Sequence, residues 1–249
     1  MYKRMNEQLQ KEGAMALVTG ASSGIGLAYA RELARRGYDL LLVSNEQERI
    51  GTVAEELAAA FGVKTIPLCM DLARSEAARE LYDYCEREKL QIGILVNNAG
   101  IFFFDDLTEV TPERIETMLL LHIRTVTLLC RYFGAAMKRR RAGYILNMSS
   151  LSAWTPAPGI SVYAASKSYI RKFSQMLRYE LHQYGVGVTT VCPGAIATGL
   201  YNLSDYYQRL ALRLGVMMKP ERLARKGLRA MFARRDYILP GAVNRFFVL

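Results

Sequence analysis

Residues 14–37 read AMALVTGASSGIGLAYARELARRG, and the reading of this stretch decides the fold. Ala14 to Thr19 is a short apolar run of strand length. TGASSGIG follows at Thr19 to Gly26, and beyond it Ile25, Ala28, Tyr29 and Leu33 recur at the spacing of one helix face. Strand, glycine turn and helix in that order form a cradle for a dinucleotide. Gly20 permits the tight turn, Gly24 lets the backbone approach a pyrophosphate, and Gly26 lets the helix pack closely. The exposed N–H groups at Ser22, Ser23 and Ile25, together with the positive end of the helix, then face phosphate. A loose glycine spacing alone carries little weight; the strand before and the helix after give this one its force.

Working outward, the alternation continues. Asp39 to Ser44 predicts a second strand, Gln47 to Phe61 a helix, and Lys64 to Met70 a third strand ending at Asp71. Ser75 is a candidate cap for the next helix. Gly93 to Asn97 is a further strand, closing on Asn97, Asn98, Ala99 and Gly100, and Phe102 to Phe104 follow it as candidates to line a ligand cleft. Thr111 and Pro112 open a long helix running to about Lys138. Gly143 to Met148, Gly187 to Val191 and Tyr237 to Leu239 are the remaining strands. Strands separated by helices predict a parallel sheet, so the fold class is α/β: a doubly wound sheet of about seven strands with helices on both faces, in one domain over 1–249. Leu200 to Met218, rich in Tyr and Leu, reads as a lid over an apolar substrate within that domain.

Composition narrows the compartment and the partners. The chain has 249 residues and a formal charge of +10. From Arg209 to Arg245 ten Lys or Arg stand against only Glu221 and Asp236, a basic face open to anionic partners, including peripheral contact with a membrane surface. No nucleic-acid motif accompanies it, so no nucleic-acid partner is expected. Cys69, Cys85, Cys130 and Cys192 lack metal-ligand spacing and read as reduced packing residues; no metal is expected. The start, MYKRMNEQLQKEG, lacks the apolar core of a signal peptide and no run of about 18 apolar residues occurs, so a cytoplasmic protein without a transmembrane segment is expected.

The chemistry points to Ser150, Tyr163 and Lys167. Tyr163 and Lys167 stand four apart at the start of an apolar-periodic run, so on a helix both leave the same face. A free phenol, with a pKa of about 10, is a poor base at neutral pH, but a cation held close favours its ionised form and makes it a general acid or base. Two long side chains at this spacing commonly just cover a surface. Ser150 tips the balance, because the strand ending at Met148 would deliver its hydroxyl to the carboxyl edge of the sheet, where ligands of open α/β sheets bind.

With TGASSGIG, Asp71, NNAG at Asn97 to Gly100, Ser150, Tyr163 with Lys167, and PGAIAT at Pro193 to Thr198 in order, the chain resembles the short-chain dehydrogenase/reductase family over essentially its whole length. The resemblance implies a Rossmann-type sheet, a nicotinamide cofactor, and hydride exchange with a carbonyl or secondary alcohol. It implies Tyr163 as proton donor or acceptor, Ser150 as hydrogen-bond partner of the substrate oxygen, and Lys167 on the nicotinamide ribose. Asp71 and Asn98 would contact the adenosine half, and Ile196 and Thr198 the nicotinamide amide, with Ala99, Gly100, Pro193 and Gly194 completing the lining. Where the family usually places an Asn in a proton-relaying tetrad this chain has His122, whose imidazole can hold the relaying water or serve as a packed helix histidine without catalytic duty. The chain also stops at NRFFVL where relatives commonly continue. At the end of the second strand stand Ser44, Asn45 and Glu46. An acid at Ser44 would have favoured a free 2′-hydroxyl and an Arg at Asn45 a 2′-phosphate, so the usual residues do not decide; donation from Ser44 and Asn45 makes NADP(H) the expected cofactor and NAD(H) the alternative. The stretches GYILNMSS and YAASK are most similar to reductases of apolar ketones of the keto-lipid, steroid or 3-oxoacyl kind. A polyol or sugar dehydrogenase and a non-catalytic dinucleotide sensor are the rival readings, and a homodimer or homotetramer through the helices starting at Pro112 and Val162 is the implied assembly.

Overall fold

Seven strands lie parallel in one sheet, in the order β3-β2-β1-β4-β5-β6-β7. They are β1 (Met15–Thr19), β2 (Leu40–Ser44), β3 (Thr65–Cys69), β4 (Ile92–Asn97), β5 (Gly143–Met148), β6 (Val186–Val191) and β7 (Tyr237–Ile238). Among the described residues the helices between them are α1 (Gly24–Ala34), α2 (Gln47–Phe61), α3 (Ala77–Arg87), α4 (Pro112–Leu119), α5 (Val126–Arg140), α6 (Ser161–His182) and α7 (Pro220–Phe232). This computed structural model describes residues 9–10, 12–155, 157–198 and 216–241. The expected lid, apart from its last three residues, and the terminal NRFFVL lie outside the described residues.

Strands buried on both faces read as unbroken apolar runs rather than alternating ones, and β1, MALVT, is buried throughout. Its alternate residues feed two cores. Ala16 and Val18 join Tyr29 and Leu33 of α1, Leu57 of α2 and Leu223 and Leu228 of α7. Met15 and Leu17 join Leu81 of α3, Leu129 and Phe133 of α5 and Leu181 of α6 on the other side. Pro67 sits in β3, the edge strand, where one face of the ladder needs no N–H donor.

The order reverses at β1, which pairs with β2 on one side and β4 on the other. Loops leaving the carboxyl ends of β1 and β4 therefore part in opposite directions and open a crevice, the topological switch point at which such sheets bind ligands.

Strand boundaries differ from the sequence reading by one residue at several ends, which is the usual fraying margin. Ser75 is not the cap of α3; Glu76 takes that position, with no side-chain cap bond. Thr111 precedes α4 as expected, though its hydroxyl does not cap and its carbonyl accepts the Arg114 amide. The long helix is also not continuous α-helix: Leu120–Thr125 widens into a π-helical stretch between α4 and α5.

Candidate active site

A cleft of about 680 Å³ opens along the carboxyl edge of the sheet. It is lined by Gly20, Ser22, Ser23, Gly24 and Ile25 of the glycine turn, by Ser44 and Asn45 after β2, by Asp71 after β3, and by Asn98, Ala99 and Gly100 after β4. Ser150, Tyr163, Lys167, Pro193, Gly194, Ile196 and Thr198 line the rest. Among the described residues that the sequence nominates, Gly26 and His122 do not line it, and neither do Phe102, Phe103 and Phe104, the aromatic candidates for that role. Gly26 has a packing duty instead, since a Cβ there would stand 1.9 Å from the Gly20 carbonyl oxygen. Gly20 itself has φ +65° and its missing Cβ faces the Ala99 Cα at 2.9 Å, so turn and β4 loop touch through backbone.

Thr19 fastens that contact, a role its position at a strand end does not announce. Its Oγ1 accepts the N–H groups of Asn98 and Ala99, each at 3.0 Å, and donates to the Val96 carbonyl. The Asn98 side chain donates through Nδ2 to the carbonyls of Thr19 and Gly20, at 3.0 and 3.3 Å. Asn98 thus braces the turn as well as lining the cleft. The cradle fits a pyrophosphate: the Ser23 end of α1 has no side-chain cap, so its first N–H groups stay available to an anion.

At the β2 end of the cleft the expected donor Ser44 is already engaged. It is buried, donates to Ser22 Oγ at 2.9 Å and accepts the Glu46 N–H at 3.2 Å. Ser22 Oγ donates in turn to Glu46 Oε2 at 2.5 Å, and Arg49 Nη1 lies 3.9 Å from the other carboxylate oxygen. Glu46 and Arg49 also line the cleft, and Arg49 escapes the sequence reading because it sits one helical turn beyond the strand end. Asp71 accepts the Ala73 N–H at 2.9 Å in a turn that leaves it exposed.

At the opposite end Tyr163 and Lys167 leave the same face of α6, both less than a tenth exposed. Lys167 Nζ donates to the Met148 carbonyl at 3.1 Å and lies 5.4 Å from the centre of the Tyr163 ring. Ser149 Oγ donates to the Lys167 carbonyl at 2.7 Å, so the end of β5 grips α6 twice. Burial pulls the Lys167 ammonium down to about 8. Its neighbour Cys192, itself pushed up to about 12 by burial, is a neutral thiol at pH 7 and offsets little of this. Ser150 has extended backbone and starts a single 3-10 turn; its Oγ accepts the Ser152 N–H at 3.2 Å, which leaves its proton to give to a ligand. Phe102 stands edge-on to the Tyr163 ring at 4.9 Å, Phe103 is buried in the same apolar cluster as Tyr163, and Phe104 is 68% exposed.

His122 corrects the sequence reading. It lies in the π-helical stretch, fully buried, and both ring nitrogens have protein partners: Nε2 accepts the Ile101 N–H at 3.0 Å, and Nδ1 lies 2.9 Å from Ser166 Oγ. Ser166 spends its own proton on the Tyr163 carbonyl at 2.7 Å, so His122 donates from Nδ1 and is the neutral Nδ1–H tautomer. Burial, and then the Lys167 charge, hold its pKa well below the usual imidazole value. The nitrogens expected to hold a water instead tie the β4 loop to the turn of α6 that carries Tyr163.

The fold and this cleft define a dinucleotide-binding α/β protein with a tyrosine–lysine pair at the sheet edge. The chain belongs to the short-chain dehydrogenase family, whose model matches residues 14–205. It is 37% identical over 199 residues to a very-long-chain 3-oxoacyl-CoA reductase of Anas platyrhynchos, covering 77% of this chain and 62% of that protein. It is 32% identical over 206 residues to an inactive hydroxysteroid dehydrogenase-like protein 1 of Homo sapiens, covering 81% and 61%. The chain thus matches about six tenths of the length of these curated relatives. Among solved structures it resembles a short-chain dehydrogenase from Sphingobium yanoikuyae in complex with NADPH, with a TM-score of 0.84 and 31% identity, covering 94% of this chain and 91% of that one.

Proposed function

We propose that this protein is an NAD(P)-dependent oxidoreductase of a carbonyl or secondary alcohol, with an apolar ketone of the keto-lipid, steroid or 3-oxoacyl kind as its substrate and NADP(H) favoured over NAD(H). The observation that carries the reading is the pairing of Tyr163 with Lys167 on one buried helix face, in the same cleft as the glycine turn. The turn, Asp71 and the β4 loop would hold the adenosine and pyrophosphate of the dinucleotide, and Pro193 to Thr198 its nicotinamide end. A nicotinamide there supplies or takes up the hydride.

The chain's own residues do the remaining work. Ser150 Oγ gives its free proton to the substrate oxygen and fixes the carbonyl in the cleft. In reduction Tyr163 gives its phenol proton to that oxygen as the carbon accepts the hydride, and in oxidation it takes the proton back. The Lys167 ammonium stabilises the negative charge left on the phenol oxygen, in a site where low polarity strengthens the attraction. His122 and Ser166 hold the helix turn that aims Tyr163. Exposed Tyr169, Met176 and Tyr179 on α6 support the homo-oligomer expected through that helix.

The rival reading, a dinucleotide sensor without turnover, is favoured by the likeness to a relative named inactive. Against it, a sensor has no need of a proton donor beside a buried ammonium. A turnover screen of keto-lipids, steroids, short ketones and polyols with each dinucleotide separates the readings. With a substrate in hand, Tyr163→Phe is expected to lower kcat by roughly 10²-fold or more while leaving the melting temperature nearly unchanged. Near-normal turnover of the variant sinks the proposal.

A further inference from the structure

The helix layer formed by α2, α1 and α7 on one side of the sheet has its charge sorted by sign. α7 buries Leu223, Leu228 and Met231 and turns Arg222, Arg225, Lys226 and Arg229 to solvent, at the i, i+3, i+4, i+7 spacing of a single helix face. α1 packs on it closely, because Gly227 has no Cβ to collide with the Tyr29 hydroxyl. Arg36, just past α1, reaches the Phe232 ring of α7 at 5.2 Å, which brings Arg31, Arg35 and Arg36 into the same patch. Seven cations there face two carboxylates, Glu32 and Glu221, and Glu32 is buried beneath Arg35 and Arg36. Arg31 and the four cations of α7 form no ion pair among the described residues. α2 is the reverse, with Glu48, Glu55 and Glu56 exposed and Arg49 as its one cation. Like charges three and four apart on a helix repel, so the α7 stripe destabilises its own helix until an anion faces it.

We propose that the α1–α7 face docks on an anionic lipid bilayer, held by charge and without insertion. What else the face carries selects this partner. No large apolar side chain is exposed on α1 or α7, so the face lacks the apolar centre of a protein interface and the aromatic platform on which nucleic-acid bases stack. It offers positive charge over a broad surface, and a plane of acidic headgroups asks for nothing more. Docking leaves the cleft uncovered: α7 lies against one face of the sheet, whereas the cleft opens at the carboxyl edge, so its mouth points along the membrane surface rather than onto it. The inference goes beyond the oxidoreductase reading and stands or falls without it.

The test is sedimentation of the full chain with vesicles, and it needs neither dinucleotide nor substrate. Vesicles of phosphatidylcholine alone, and with about 30% phosphatidylserine, are compared at about 0.1 M and about 0.5 M salt. The wild type is expected to bind only the anionic vesicles, and only at the lower salt. Arg222→Gln, Arg225→Gln, Lys226→Gln and Arg229→Gln combined should weaken that binding at least about 25-fold, since a cation at a charged membrane surface is worth about fivefold and this counts only two of the four. Lys64→Gln, Lys89→Gln, Arg131→Gln and Lys172→Gln combined remove the same charge from other exposed positions and should weaken it less than about fivefold. All eight side chains are exposed, so both variants should keep the wild-type melting temperature within about 2 °C. Equal losses in the two variants would mean that net charge, not this face, does the binding, and would overturn the proposal. So would failure of the wild type to bind anionic vesicles, or tighter binding to a short duplex DNA than to those vesicles at the same salt.

Discussion

His122 and Lys167 are neighbours whose burial has opposite uses. For His122, protonation would remove the acceptor that Ile101 needs and place a second cation near Lys167. Its folded pKa is depressed, so the unfolded chain binds the proton more readily; the stability it contributes is whole above about pH 6.5 and is lost as pH falls below that. His122→Asn can still accept from Ile101 and donate to Ser166, so it should keep most activity and show a flatter acid limb in urea unfolding free energies between pH 5 and 8. His122→Ala, which frees two buried partners and opens a cavity, should lose substantially more activity and about 2 kcal/mol or more of stability. Identical acid limbs for wild type and the Asn variant would reject the neutral-clip role. Lys167 costs stability instead. Its drop from 10.5 to about 8 corresponds to about 3 kcal/mol spent on keeping the buried ammonium charged at neutral pH. Lys167→Met should therefore stabilise the chain by about 1–2 kcal/mol in urea, after about 1 kcal/mol is returned for the Met148 carbonyl left unpaired, while turnover collapses. A destabilised Met variant would contradict this. The Tyr163–Lys167 pair was legible in the sequence because a four-residue spacing encodes a shared helix face. The His122 clip was not, since its partners lie 21 and 44 residues away and no local pattern reports them.

At the scale of elements, the glycine turn is the part most fully written in the sequence, because its demands are steric and local. The structure adds which glycine does what, and that yields a paired prediction. Gly26→Ala would set a Cβ 1.9 Å from a backbone oxygen that cannot move without opening the turn against Ala99. It should cost more than about 3 kcal/mol and abolish dinucleotide binding. Gly51→Ala, inside α2 with nothing within 4 Å of the new Cβ, should stabilise by about 0.5–1 kcal/mol. The measurement is the urea midpoint of both variants, and a similar shift for the two would show that the close approach at Gly26 is not the constraint. Less legible was the π-helical stretch at Leu120–Thr125. Its apolar spacing passes for ordinary helix, and only the buried imidazole in its middle marks it as unusual.

Across the whole molecule, the alternation of strand and helix implied a parallel sheet, but its order depends on which way each crossover turns, and that follows from the handedness of the connections rather than from any residue. The order has a functional consequence. Residues lining the cleft come from the carboxyl ends of β1, β2, β3, β4, β5 and β6, so a dinucleotide lying along it would touch the loops of six of the seven strands at once. A ligand held by one edge loop would protect that loop; one held across the sheet must be released before the sheet can open. Binding should therefore raise the stability of the chain as a unit. At a concentration of 100 times Kd the stabilisation is about 2.7 kcal/mol, which for a chain of this size is a rise in Tm of roughly 5–10 °C. Calorimetric scans with and without saturating NADP⁺ should show one transition that moves intact to higher temperature. A transition that splits on binding, with one part unmoved, would mean that the two sides of the switch point open independently and that the cleft is not a single binding surface.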